Sequence, residues 1–143
     1  MFVYDKAVRF EDVDAARIVF FARFLSYCHE AMEALLSPVE GGYASLVVDR
    51  HIGLPSVRVE ADFASPLRFG DVVRIEVAVE HIGTTSCTFR YEMTNVKTEA
   101  HVARIRQVVV LSDLRELKKV AIPDDVRVLL ETYRAAPEST SRL

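Results

Sequence analysis

The chain has 143 residues, half of them hydrophobic and 27% charged, with a formal net charge of -3. That length suits one domain with a single sizeable core, and the absence of a basic stripe excludes a protein that tracks nucleic-acid phosphates. No apolar run reaches the length of a membrane span, although a local gathering of Arg or Lys can still hold an anionic ligand.

In chain order, Met1 to Phe10 alternates as a strand, with Val8 and Phe10 on one face and Arg9 on the other. Asp5, Lys6 and Arg9 among its apolar residues are wrong for a signal peptide, so the expectation is a cytoplasmic protein. The acidic loop Glu11-Asp12-Val13-Asp14-Ala15-Ala16-Arg17 follows. From about Ile18 to Leu36 the spacing predicts a long helix. Phe20, Phe24, Cys28, Ala31 and Leu35 form its broad apolar face, and Arg23, Ser26, Glu30 and Glu33 its narrow polar stripe. Ser37-Pro38 and Gly41-Gly42 end it.

After an ambiguous stretch from Tyr43 to Leu54, four strands are predicted at Pro55 to Phe63, Asp71 to His81, Thr84 to Asn95 and Ala100 to Leu111. Turn residues at Ser65-Pro66 to Gly70-Asp71, Gly83-Thr84 and Asn95 to Glu99 make these antiparallel neighbours. Asp124 to Ala135 reads as a short C-terminal helix behind Pro123, with Val126, Leu129, Leu130 and Tyr133 at helical spacing. The fold class is therefore α+β, an antiparallel five-stranded sheet wrapped around a long central helix. One domain over residues 1–136 and an unstructured tail over 137–143 are expected. Cys28 and Cys87 lie in apolar stretches without metal or redox spacing, which predicts buried reduced thiols and no metal site.

Two blocks resemble the hotdog-fold thioesterases, in particular the 4-hydroxybenzoyl-CoA thioesterase-like family. They are Arg9-Phe10-Glu11-Asp12-Val13-Asp14-Ala15-Ala16-Arg17-Ile18-Val19-Phe20-Phe21 and Val57-Arg58-Val59-Glu60-Ala61-Asp62-Phe63-Ala64-Ser65-Pro66-Leu67-Arg68-Phe69-Gly70-Asp71. With the strand spacing, the resemblance covers residue 5 to about 130. Within the family, Leu25-Ser26-Tyr27-Cys28-His29-Glu30-Ala31 is most similar to thioesterases acting on 1,4-dihydroxy-2-naphthoyl-CoA. The resemblance implies a hotdog fold, hydrolysis of an acyl- or aroyl-CoA thioester, and Asp14 as the catalytic carboxylate. It also implies an active site at a dimer interface of a homodimer or homotetramer, with no cofactor beyond the CoA of the substrate.

The chemistry needs little more than that carboxylate. A thioester is already activated, so one carboxylate that adds to the carbonyl or deprotonates water is enough in principle. Free backbone NH groups around Ile18 to Phe21, at the expected helix start, would stabilise the oxyanion, and by resemblance the Phe21 NH is the best donor. Two departures stand out: the family usually has glycine where this chain has Arg17, and many relatives carry His or Tyr at Phe21. Arg17 either holds Asp14 ionised or pairs with it and blocks the substrate.

On pattern alone, Asp14 also fits a helix cap, and Asp12 either a second cap or an orienting group for the loop. Glu33 on the helix is the reserve catalytic acid, with Glu30 and His29 read as structural. Phe20, Phe21 and Phe24 are candidates for an acyl or aryl pocket, Arg17 for a substrate contact, and Gly83, Thr84 and Thr85 for contacts to CoA. Arg58, Arg68, Arg90, Arg104 and Arg106 are the cations from which phosphate contacts would be drawn. A non-catalytic module that binds acyl-CoA or an acyl carrier protein is the alternative, and a dehydratase is disfavoured because no acid and His pair stands in the loop.

Overall fold

The computed structural model of the protein describes residues 1–135; the tail expected at 137–143 lies outside the described residues. Five strands form one antiparallel sheet: β1 (Phe2–Ala7), β3 (Ser56–Phe63), β4 (Val72–Ile82), β5 (Ser86–Asn95) and β6 (His101–Val110). Their order across the sheet is β1-β4-β5-β6-β3, so all the long strands expected from alternation are present. Three two-residue strands, β2 (Ile52–Gly53), β7 (Ser112–Asp113) and β8 (Lys118–Lys119), make a small second sheet that the sequence did not disclose.

The inner face carries the alternating apolar residues. Val73, Ile75, Val77 and Val79 of β4, Cys87, Phe89, Tyr91 and Met93 of β5, and Ile105 of β6 are fully buried. They share one core with Phe24, Tyr27, Cys28, Ala31, Met32 and Leu35 of helix α1 (Arg23–Leu35). Those six recur at helical spacing, which is why this segment winds as a helix and packs one stripe on the sheet. Glu30 of α1 accepts hydrogen bonds from Tyr4 Oη at 3.3 Å and Lys6 Nζ at 3.1 Å, tying the helix to β1. Burial pushes the Cys28 thiol up well above its ordinary range and the Cys87 thiol up to about 12, so neither is a thiolate at neutral pH.

The helix is shorter than the spacing predicts. Its 13 residues begin at Arg23, and the five before it form a loop instead. Val13 and Val19 make an antiparallel bridge, the Val19 NH donates to the Leu67 carbonyl at 2.8 Å, and the Phe20 NH to the Asp12 carbonyl at 3.1 Å. Those tertiary partners hold Val19 and Phe20 out of the helix.

The ambiguous stretch is a single helical turn, α2 (Gly42–Ala44), running into a π-helix over Ser45–Asp49. Helix α3 (Asp124–Thr132) is clamped to its end by a bidentate pair, Arg50 to Asp125 at 2.7 and 2.9 Å. That pair holds the Asp125 carboxyl down to about 2, chiefly through the hydrogen bond from the guanidinium. Among the described residues no helix is long and apolar enough to cross a membrane.

Candidate active site

The loop ahead of α1 is built around Asp12. Its side chain is buried, and Oδ2 accepts from the Tyr27 hydroxyl at 2.8 Å and the Arg9 NH at 2.9 Å, while Arg23 Nε lies 3.9 Å from Oδ1. Burial, and then the bond to Asp12, raises the Tyr27 phenol well above its ordinary range, so the hydroxyl stays a donor through any physiological pH. Asp12 therefore orients the loop, the second of the two roles its position allowed.

Asp14, two residues on, is exposed. Its Oδ1 accepts from the Ala16 NH at 2.8 Å, its own NH donates to the Ile18 carbonyl at 3.1 Å, and the Arg17 NH returns to the Asp14 carbonyl at 2.9 Å. These bonds close a tight turn. They also exclude the helix-cap reading of Asp14, because α1 starts nine residues later and the carboxylate serves its own turn.

The turn is held from the other side by the segment after β3. Besides the Val19 to Leu67 bond, the Val8 NH donates to the Asp71 carbonyl at 2.8 Å, and Gly70 takes a φ of 90° that lets the chain reverse there. This brings Phe69 against Phe10, with ring centroids 5.8 Å apart. Phe10, Val13, Asp14, Ala15, Arg17 and Phe69 line an open cleft of about 500 Å³. Phe10 and Phe69 are about two-thirds exposed, at 68% and 64%. The sequence reading missed both. Alternation put Phe10 on a strand face, yet β1 ends at Ala7 and Phe10 opens a short 3-10 turn.

A second cleft, of about 400 Å³, is lined by Ile18, Val19, Phe21, Phe24, Phe63 and the Ala64 to Pro66 segment. Here the helix start shows itself. The Arg23, Phe24 and Leu25 NH groups turn back to the Phe20, Phe21 and Ala22 carbonyls, whereas the Phe21 and Ala22 NH groups have no acceptor among the described residues. Of the donors expected around Ile18 to Phe21, Val19 and Phe20 are thus taken, while the Ile18 and Phe21 NH groups have no acceptor among the described residues. The Phe21 side chain is 66% exposed and packs on Phe20 at 4.8 Å. Phe24 is buried and meets Phe63 edge-on at 5.1 Å, so it forms the floor of this cleft rather than an open wall.

The remaining candidates sit elsewhere. Glu33 is exposed, 3.5 Å from His29, and ten residues beyond the start of α1, about 15 Å along its axis. The structure does not bring it to Asp14. The Gly83 to Thr85 turn has its carbonyls occupied: Arg127 donates to Gly83 O at 2.7 Å, Ile122 NH to Thr84 O at 2.9 Å and Leu111 NH to Thr85 O at 2.8 Å. Arg58, Arg90, Arg104 and Arg106 lie among Glu60, Glu80 and Glu92 and line neither cleft beside the Asp14 turn. Arg17 answers the question its position raised: its φ is 67°, the left-handed conformation in which glycine was expected, and among the described residues it makes no ion pair with Asp14.

A five-stranded antiparallel sheet packed against one face of a helix, with a carboxylate displayed on the loop before that helix, is the α+β arrangement of a hotdog-type protein. Residues 8–130 match the family described as the thioesterase-like superfamily, and the chain belongs to it. It is 32% identical over 141 residues to a 1,4-dihydroxy-2-naphthoyl-CoA hydrolase of Nostoc punctiforme, covering 99% of this chain and 94% of the relative. Among solved structures, a 1,4-dihydroxy-2-naphthoyl-CoA thioesterase from Synechocystis superposes with a TM-score of 0.81 at 28% identity, covering 90% of this chain and 94% of that one. A gentisyl-coenzyme A thioesterase gives 0.78 at 28% identity, covering 90% and 98%.

Proposed function

We propose that the protein hydrolyses an aroyl-CoA thioester to the free acid and CoA, with Asp14 as the working carboxylate. The observation that carries this is an exposed Asp14 with, among the described residues, only one of its oxygens engaged, in a cleft walled by two phenylalanines. The relatives support the substrate class, since they act on hydroxylated aroyl thioesters of CoA.

Asp14 either adds to the thioester carbonyl, forming a mixed anhydride as the C–S bond breaks and then yielding it to water, or takes a proton from the attacking water. Both routes raise negative charge on the carbonyl oxygen. The free Phe21 NH at the positive end of α1 stabilises it, and CoA leaves as the thiolate. The binding-only alternative drew its force from an Arg17 closed onto Asp14, and the missing ion pair withdraws that support.

The working unit is a homodimer, alone or paired into a tetramer. Among the described residues β3 is an edge strand bonded only to β6, and Val57, Val59 and Phe63 along it are 62%, 42% and 51% exposed. An open edge with apolar side chains invites a second strand. Phe63 at the end of β3 also lines the Phe21 cleft, so a partner seated there would wall that cleft. Buried free thiols at Cys28 and Cys87 fit a reducing compartment, and we place the reaction in the cytoplasm.

The test is thiol release from a panel of aliphatic, hydroxybenzoyl and hydroxynaphthoyl thioesters of CoA. The expected result is turnover concentrated in the aromatic members. Release from none, or from aliphatic thioesters alone, would overturn the proposal.

A further inference from the structure

Arg17 occupies a conformation that strains any side chain, with φ at 67°. Glycine adopts it without that strain. The Asp14 to Ile18 turn imposes the geometry through its two closing hydrogen bonds. Glycine would satisfy that turn without strain, so what arginine adds is its side chain, at a position that lines the Asp14 cleft.

What it meets there is specific. The other walls are Phe10, Val13, Ala15 and Phe69, and among the described residues Asp14 is the only carboxylate that lines it. The guanidinium has no ion-pair partner among the described residues. Arg17, which carries a fork of N–H donors and a fixed positive charge, thus lines the same cleft as the Phe10 and Phe69 rings, themselves tilted by 47°. Such a wall takes a planar ring, and a guanidinium at its edge takes an oxygen in or near the ring plane.

We infer that Arg17 is a specificity-determining residue that selects aroyl groups bearing a hydroxyl or phenolate oxygen. This rests on the reading that Asp14 works on an aroyl thioester. The ring packs on Phe10 and Phe69, its oxygen substituent accepts from Arg17, and the thioester carbonyl is left beside Asp14. Arg17 makes and breaks no covalent bond; it selects and positions.

The experiment compares 1-hydroxy-2-naphthoyl-CoA with 2-naphthoyl-CoA for the wild type, Arg17→Gly and Arg17→Lys. The readout is the ratio of the two kcat/KM values. Glycine suits the turn, so the first variant keeps the fold. The wild type should favour the hydroxylated ester by about tenfold or more, the value of one charged hydrogen bond. Arg17→Gly should bring the ratio close to unity, and Arg17→Lys should keep part of it. An unchanged ratio in Arg17→Gly overturns the inference, including the case in which both substrates weaken together, as a contact to the CoA phosphates would give. Calorimetry with the two free acids, 1-hydroxy-2-naphthoate and 2-naphthoate, separates the inference from the reading beneath it. Discrimination between the acids that vanishes in Arg17→Gly, without thiol release from either ester, keeps the role of Arg17 and discards thioester hydrolysis. Thiol release with an unchanged ratio does the reverse.

Discussion

Asp12 and Asp14 are two residues apart and do opposite work. Asp12 is buried and takes donors from Tyr27 and Arg9, while Asp14 is exposed and keeps one oxygen free. Asp12→Ala strands the Tyr27 hydroxyl and the Arg9 NH, a loss of about 2 to 3 kcal/mol that should lower Tm by roughly 10 °C. Differential scanning calorimetry reads it, and a melt within a degree of wild type would contradict the role given to Asp12. In the sequence the two acids look alike, because nothing local separates a buried carboxylate from an exposed one. Arg17 was legible as a departure, but its φ was not, since it belongs to a turn closed by the Asp14 NH to Ile18 carbonyl and Arg17 NH to Asp14 carbonyl bonds, which in place of a helix start is followed by a Val19 bond to Leu67, 48 residues away.

At the scale of elements, the long strands were legible because Val73, Ile75, Val77 and Val79 alternate with polar neighbours and bury one face. The start of α1 was not. Ile18, Val19, Phe20 and Phe24 carry helical spacing, yet Leu67 and Asp12 capture two of their NH groups, and tertiary bonding outweighs propensity. That difference bears on function, because it is the late start that leaves the Phe21 and Ala22 NH groups free ahead of the helix. The two-residue strands and the π-helix are too short to carry a pattern.

The clamp between Arg50 and Asp125 belongs to this scale, joining the end of the π-helix to α3. Asp125 has a folded pKa of about 2, below its ordinary value, so its stabilisation is complete above about pH 4 and is lost as pH falls towards 2. After allowance for the partial exposure of both side chains, the contribution is about 1 kcal/mol. Asp125→Asn should lose about that much at pH 7 and flatten the decline in urea stability between pH 5 and 2. Parallel declines for wild type and variant would remove the clamp from the account.

For the whole molecule, the open β3 edge is the feature that a single copy leaves unfinished. Sedimentation should give a species at an even multiple of the 16.1 kDa chain. Val57→Lys with Val59→Lys, two charges on the exposed apolar line of β3, should return it to the single-chain mass and reduce turnover with it. A wild-type protein that sediments as a single chain would detach the site from any partner. The sequence resemblance implied an interface site, and the strand spacing located β3, but the edge position of β3 comes from the order β1-β4-β5-β6-β3, which local pattern does not encode.

The central claim is that Asp14 performs the hydrolysis, and kcat/KM for 1-hydroxy-2-naphthoyl-CoA in wild type and Asp14→Asn tests it most directly. The account predicts a loss of about a hundredfold or more, with Tm unchanged because the carboxylate is exposed and bonds only within its own turn. Turnover within a few-fold of wild type in a folded Asp14→Asn protein would contradict it and move the catalytic carboxylate elsewhere.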